Sequence, residues 1–428
     1  MISFPKHENY KDSGVEWLGE IPQDWQIIRA KYVLQEIDER SKTGDEELLS
    51  VSHLTGVTPR SEKNVNMFLA EDYTGAKLCQ QNDVVINTMW AWMGALGVSP
   101  MEGLVSPSYG VYRPNEKVFP RFLDSLLKTP QYITEYIRRS TGIQSSRLRL
   151  YPNQFLDIPL LLPSIEQQKR IVEFLDRKTA EIDQAIEQKQ RLIKLLKEQK
   201  AILIDRAVTK GLNPNVPMRD SGVDWIGKIP EKWRVCSLSY IANLYAGGTP
   251  DRSNPQYWNG SIPWIKTGEV NYDNINVAEE FITEQGLRNS SAKVAPPGTI
   301  LMAMYGQGVT RGRVAILEIE AAFNQACLAI ALNQKIQIKY LFYYLLSAYK
   351  FIRDTGNETS QMNLSSGLIG KIKVVIPSQL EQDYIVRFLD RKLVEFEDSI
   401  SKQEKSIELL ILLKQLSVAK TVTGKIKI

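Results

Sequence analysis

A chain of 428 residues is longer than one core of ordinary size organises and suits two domains. Hydrophobic residues at 43% and charged residues at 24% describe a globular protein and exclude a disordered or membrane-embedded chain. The formal charge of +4 selects no partner, because phosphate responds to local groups of Lys and Arg rather than to the total.

The first distinct element, Asp12 to Trp25 (DSGVEWLGEIPQDW), returns 208 residues later as DSGVDWIGKIPEKW, Asp220 to Trp233. Two tryptophans, a glycine and an Ile-Pro keep their spacing, so the chain reads as two copies of one plan. Residues 12–160 read as mixed α/β. The run Asp83-Val84-Val85-Ile86 predicts a buried strand, and Phe119 to Arg139 predicts one helix. Between them, Asn87-Thr88-Met89-Trp90-Ala91-Trp92-Met93-Gly94 carries no basic residue. Asn87 and Trp90 are the candidates there for reading a nucleic acid, followed by Ser106, Ser108 and Tyr109, although the aromatics also suit a core. Arg147 and Arg149 in SSRLRL stand where they touch backbone phosphate or line a solvated turn.

Pro163 to Lys178 (PSIEQQKRIVEFLDRK) opens a long helix. Ser164 and Gln167 have the capping-box spacing, and Pro163 sits just before the cap, where its missing N–H costs nothing. Apolar residues then recur at steps of three and four: Ile171, Leu175, Ile182, Ile186, Ile193, Leu196 and Leu203. Lys189, Arg191, Lys194, Lys197 and Lys200 stand among the residues between them. This is a narrow heptad seam, which needs a partner helix. About 40 residues make a rod of roughly 60 Å.

Residues 219–375 repeat the mixed α/β reading. In GGTPDRSNPQYWNGSIPWIKTGEV, residues 247 to 270, Thr249, Arg252, Trp264, Lys266 and Thr267 mix cation, hydroxyl and aromatic groups suited to phosphate and base edges. Thr299-Ile300-Leu301-Met302 predicts a strand. The stretch MYGQGVTRGRVAI then places Tyr305, Gln307, Thr310, Arg311 and Arg313 around three glycines. Arg and Gln can bond bidentately to guanine and adenine; a plain structural loop has the same composition. Asn324 and Gln325 follow, a helix is predicted over Ile338 to Arg353, and Gln361 and Asn363 lie in SQMNLSS.

The second long helix opens 214 residues after the first, at Pro377 to Lys392 (PSQLEQDYIVRFLDRK), with Ser378 and Glu381 in the capping positions. Its seam is Ile385, Leu389, Phe396, Ile400, Ile407 and Leu410. Even the tails answer one another, Val208-Thr209-Lys210-Gly211 against Val422-Thr423-Gly424-Lys425. Each helix is the natural partner of its copy, paired antiparallel about an approximate two-fold axis. The expected fold class is α+β: two mixed α/β recognition domains, 1–160 and 212–375, separated by long helices, 161–211 and 376–428, that form an antiparallel coiled coil.

Several chemistries lack their residues. Only His7 and His53 exist, and Cys79, Cys236 and Cys327 form no CxxC pair, so no zinc site or Ser-His triad is expected. No GxxxxGK[ST] loop is present, and the strand before Gly306, Gly308 and Gly312 leads into a second strand-like run, Val314 to Leu317, rather than the helix a phosphate loop uses. The opening MISFPKHENYKDSG lacks the layout of a signal peptide, and no apolar run nears the ~20 residues that span a bilayer. A cytoplasmic binding protein without membrane contact is expected.

The paired DSGVxWxGxIPxxW segments, GGTP...YWNGSIPWIKTGE, Phe323-Asn324-Gln325-Ala326 after GRVAI, SQMNLSS and the paired PSxxEQxxIVxFLDRK helices together resemble the specificity subunit of type I restriction-modification systems. The resemblance covers nearly the whole chain, but the first domain lacks the GGTP...PWI segment and carries over least. It implies a non-catalytic subunit whose two domains each read half of an asymmetric, bipartite site in double-stranded DNA. It also implies that the helices set the spacer and dock two methyltransferase subunits, with two motor-nuclease restriction subunits completing the assembly. S-adenosylmethionine, ATP and magnesium would then belong to those partners, with no cofactor on this chain. A self-contained methyltransferase or nuclease, and a coiled-coil scaffold that does not bind DNA, are the alternatives.

Overall fold

In the computed structural model, the described residues are 6–63, 72–142, 148–305, 310–354 and 364–428. They form two compact units, one of residues 1–189 and 405–428 and the other of 190–404. Both are mixed α/β, and a long helix passes from each into the other: Ile165–Lys210 and Gln379–Val422. At 46 and 44 residues these helices exceed the expected 40, because they run on into their tails, to Lys210 and Val422.

In the first unit a four-stranded antiparallel sheet has the order Leu34–Glu36, Gly110–Pro114, Val84–Ile86, Leu96–Val98. Val84, Val85 and Ile86 are all buried, as a short β-branched run between turns requires. The single helix expected over 119–139 is two, Pro120–Leu127 and Pro130–Arg139. Pro130 explains the break: it forces Thr129 to extended geometry (φ −71°, ψ 151°), and its ring opens the next helix at a position that needs no N–H. The counterpart in the second unit is likewise Ile338–Ser347 followed by Tyr349–Asp354.

The second unit has a five-stranded sheet in the order Ala242–Ala246, Cys327–Leu332, Ile300–Ala303, Val314–Leu317, Asn274–Ile275. A further four-stranded sheet has the order Glu280–Ile282, Trp258–Ile265, Ala321–Phe323, Val294–Ala295. The shared plan shows in matched pairings. Tyr10–Asp12 pairs with Glu20–Pro22 as Met218–Asp220 pairs with Lys228–Pro230. Gln26–Arg29 pairs with Pro159–Leu162 as Arg234–Ser237 pairs with Lys373–Ile376.

Both long helices start as the sequence predicts. Ser164 and Gln167 exchange backbone and side-chain hydrogen bonds (3.1 and 3.3 Å), as do Ser378 and Glu381 (3.0 and 3.4 Å). The next residue ties each helix to its domain. Gln168, fully buried, accepts from the Phe119 N–H (2.7 Å) and donates to the Lys117 and Pro163 carbonyls, both at 3.0 Å. Gln382 likewise accepts from the Gln337 N–H (2.9 Å) and donates to the Pro377 carbonyl (3.1 Å).

Each unit contains the start of one long helix and the end of the other. Ile171, Val172 and Leu175 join Leu18, Ile21, Trp25 and Val422 in the first core; Ile385, Leu389 and Leu393 join Ile204, Val208, Ile229 and Trp233 in the second. The early seam residues thus belong to the domain cores as well as to the helix pair. Lys414 with Asp183 (2.7 Å) in the first unit, and Lys200 with Glu397 (3.0 Å) in the second, align the helices antiparallel. In the first unit Ile182 is buried and Ile186, Ile407 and Leu410 are half-buried; in the second Ile400 is buried and Ile193, Leu196 and Phe396 are half-buried, in each the pattern of a two-helix seam.

The tail repeat is subtler than its alignment. Gly211 backs onto Trp233 and Pro230 as Gly424 backs onto Trp25 and Pro22, both at positive φ (77° and 70°). Lys210 donates to the Ile226 and Lys228 carbonyls, and Lys425 to those of Leu18 and Glu20. The Lys and Gly have exchanged order while keeping their contacts.

Candidate nucleic-acid interface

Six strand ends meet at one edge of the second domain: Ala246, Ile265, Ala303, Val314, Phe323 and Cys327. Backbone bonds tie their loops together, with Gly248 N–H to the Phe323 carbonyl (2.9 Å), Asn324 to Ile265 (3.0 Å) and Met304 to Ala326 (2.8 Å). A Cβ on Gly247 would lie 2.0 Å from the Phe323 carbonyl oxygen, so this glycine serves the packing of the loops themselves.

This edge gathers Thr249, Thr267, Tyr305, Asn324 and Gln325. Gln325 is exposed and accepts from the Thr249 hydroxyl, which fixes its amide while the NH₂ has no partner among the described residues. Asn324 faces inward: it exchanges hydrogen bonds with the Thr267 hydroxyl (3.0 and 3.2 Å) and accepts from the Ala326 N–H (3.1 Å). Burial pushes the neighbouring Cys327 thiol up to about 12, so it stays protonated.

The cations expected to meet DNA are engaged inside the domain. Arg252 bonds Glu280 (2.5 Å) and lies 3.9 Å over the Trp258 ring and 5.0 Å from that of Trp264. Lys266 pairs with Glu279 (2.8 Å) and Glu280 (3.1 Å), whose hydrogen bonds hold its ammonium more firmly charged. Strand register is the reason, since Trp264 stands opposite Glu280 and sets the acid between the two cations. Arg311 donates to the Arg353 carbonyl (2.7 Å) at the end of the Tyr349–Asp354 helix, and Arg313 to Asn271 (2.8 Å). Thr310 is half-buried beside them. Gln307, Gln361, Asn363 and Arg147 lie outside the described residues.

The first domain builds the corresponding edge from Ile86, Leu96, Val105 and Gly110. Its 87–94 loop is fastened to the 106–109 loop. Asn87, buried, donates to the Tyr109 hydroxyl (3.0 Å) and accepts from the Met89 N–H (3.2 Å); Thr88 donates to the Ser108 carbonyl (2.9 Å). Asn87 is therefore held between the two loops by these bonds. Lys77, also buried, donates to the Tyr109 carbonyl (3.0 Å), and the Ser106 and Ser108 hydroxyls bond one another (2.9 Å). What faces outward is Trp90, with Met89, Ser108 and the half-buried Arg149, whose guanidinium has no partner among the described residues.

One feature of the helices escaped the sequence reading. Outside the seam, Leu192, Leu195 and Ile202 on the first helix and Leu409, Leu412 and Leu416 on the second are exposed. Leu195 and Ile202 match Leu409 and Leu416 at the 214-residue shift of the helix repeat, so each unit carries a similar apolar stripe. No helix among the described residues is long and apolar enough to cross a membrane.

The family model described as type I restriction modification DNA specificity domain matches residues 230–409. The MjaIX specificity subunit of Methanocaldococcus jannaschii is 29% identical over 43% of this chain, a match that spans 42% of that relative. The MjaVIII specificity subunit of the same organism is 23% identical across 100% of this chain and 98% of its own. Among solved structures, a chain from a study of assembly and conformational transition of the type I R-M system superposes with a TM-score of 0.68 at 18% identity, covering 94% of this chain and 98% of that one. These likenesses are all to specificity proteins of type I restriction-modification systems: residues 230–409 match that DNA specificity domain, and the whole length is similar to such a subunit in sequence and to a chain of such a system in fold.

Proposed function

We propose that the chain reads a bipartite, asymmetric target in double-stranded DNA. Domain 1–160 takes one half-site, domain 212–375 takes the other, and the helices 161–211 and 376–428 set the unread spacer. The observation that carries this reading is that equivalent strand ends bear unlike side chains: Met89, Trp90, Ser108 and Arg149 in one domain, Thr249, Tyr305 and Gln325 in the other. Unlike heads on a repeated frame suit unlike half-sites. With Arg252, Lys266 and Arg311 engaged internally, hydrogen bonding by Gln325 is the direct base contact we assign to the second domain.

The two exposed apolar stripes fit two copies of one partner, which we assign as methyltransferase subunits, with two restriction subunits completing the assembly. The chain is non-catalytic in this reading, and S-adenosylmethionine, ATP and magnesium belong to the partners. The test is a genome-wide map of methylated bases, by single-molecule sequencing, in cells with and without this gene. A two-part asymmetric motif that vanishes with the gene is expected. An unchanged map, or a contiguous palindrome, refutes the reading.

A further inference from the structure

The two reading loops share no sequence, yet they expose the same kind of group at the same point. Leu150 N–H donates to the Thr88 carbonyl (2.9 Å) in the first domain as Leu364 N–H donates to the Met304 carbonyl (3.1 Å) in the second. The next residue in each loop therefore leaves from an equivalent place. It is Met89, 39% exposed and followed by Trp90 at 50%, in one domain, and Tyr305 at 37% in the other. The first loop is fixed: Asn87 and Thr88 fasten it to residues 108–109, and the Trp92 indole N–H donates to the Met89 carbonyl at 3.0 Å. Trp90 lies within 16° of parallel to Trp92, their rings 6.4 Å apart.

Large apolar groups held in water on a fixed loop are a cost that contact with a partner removes. Hydrogen-bond reading is largely closed to these two, since methionine offers only a weak acceptor and indole a single donor. Residues 87–94 add no cation for phosphate. What a duplex offers a flat apolar group is the face of a base, reached where a base step opens.

We propose that Met89 and Trp90 form an apolar wedge that enters an opened base step in the first half-site, with Trp90 stacked on a base, and that Tyr305 plays the same part in the second. This rests on the reading of the chain as a DNA-specificity subunit. Opening is easiest at pyrimidine–purine steps, so each half-site contains TA or CA/TG at the wedge.

The test uses the full chain with its methyltransferase partner and the target found by methylation mapping, made as duplexes with 2-aminopurine replacing each purine in turn. Binding raises fluorescence at one position of the first half-site besides the methylated base, which the methyltransferase itself extrudes. Trp90→Ala abolishes that rise and weakens binding roughly tenfold or more, the loss of one base–aromatic stack, while Trp90→Phe retains both. Tyr305→Ala removes the signal in the second half-site alone. Tight binding with every other probe in the first half-site still quenched overturns the wedge and leaves the specificity reading standing, as does a Trp90→Ala complex that binds like wild type. Replacement of a thymine by uracil that reproduces the Trp90→Ala loss without any fluorescence rise also overturns it, in favour of a methyl contact. A wild-type complex that does not bind the target overturns both readings.

Discussion

Replacing Gln168 with Leu should loosen the first domain from its helix and leave the second untouched. The side chain is fully buried and satisfies one N–H and two carbonyls, of Phe119, Lys117 and Pro163. Leucine fills a similar volume but offers no hydrogen bond. An orphaned buried N–H costs about 2 kcal/mol, and two carbonyls with spare lone pairs add about 1 kcal/mol together, so the loss is roughly 3 kcal/mol. For a unit of this size that lowers its melting temperature by about 6 to 12 °C. Because the two units need not unfold together, hydrogen exchange followed by mass spectrometry is the suitable assay. Protection should fall across residues 117–127 and 165–172 and stay unchanged across 337–347. Gln382→Leu should do the reverse. A loss below about 1 kcal/mol, or an equal effect in both units, would show that these glutamines do not fasten the helices.

Inserting seven residues into each helix within the seam preserves the heptad and adds about 10.5 Å, which should lengthen the preferred spacer by about three base pairs; an unchanged spacer in the methylation map removes the helices as its ruler. Cys79 and Cys327 are buried and Cys236 is half-buried, and burial raises all three thiols. A thiol reagent at pH 8 should therefore modify Cys236 alone, and slowly, in the native chain; rapid modification of Cys327 refutes the packing around it. Burial pushes the Glu135 carboxyl upward, but hydrogen bonds from Arg138 and Arg139 (2.7 and 2.5 Å) more than offset this and hold it below 4.5. Its stabilisation is thus present above about pH 4.5 and lost as acid protonates it, so the stability gap between wild type and Glu135→Gln should be open at pH 7 and close toward pH 3 in urea titrations. A gap that does not change with pH refutes the pairing.

The caps, the seam and the repeat were legible because each depends on residues within a few turns of one another. Ser164 with Gln167 is a local exchange, and the spacing from Ile171 to Leu196 is set by the helix itself. The partners of the cations were not legible, for the opposite reason. Nothing near Arg252 in sequence announces Glu280, which strand register delivers, and Arg311 finds its acceptor in the Arg353 carbonyl at the end of a helix. Gln168 and Gln382 look like solvent-facing helix residues until the Lys117 and Gln337 turns close over them. The break at Pro130 was in plain sight, since proline restricts the residue before it; apolar periodicity on both sides concealed it.

Synthesis runs from residue 1 upward, so the first domain emerges long before the residues that close its base. Trp25, Pro22 and Ile21 are covered by Gly424 and Val422, and Lys425 binds the turn at Leu18 and Glu20. While the ribosome is still making the second domain, that base lies open to water and to chaperones. A chain ending before Val422 would thus leave that tryptophan uncovered.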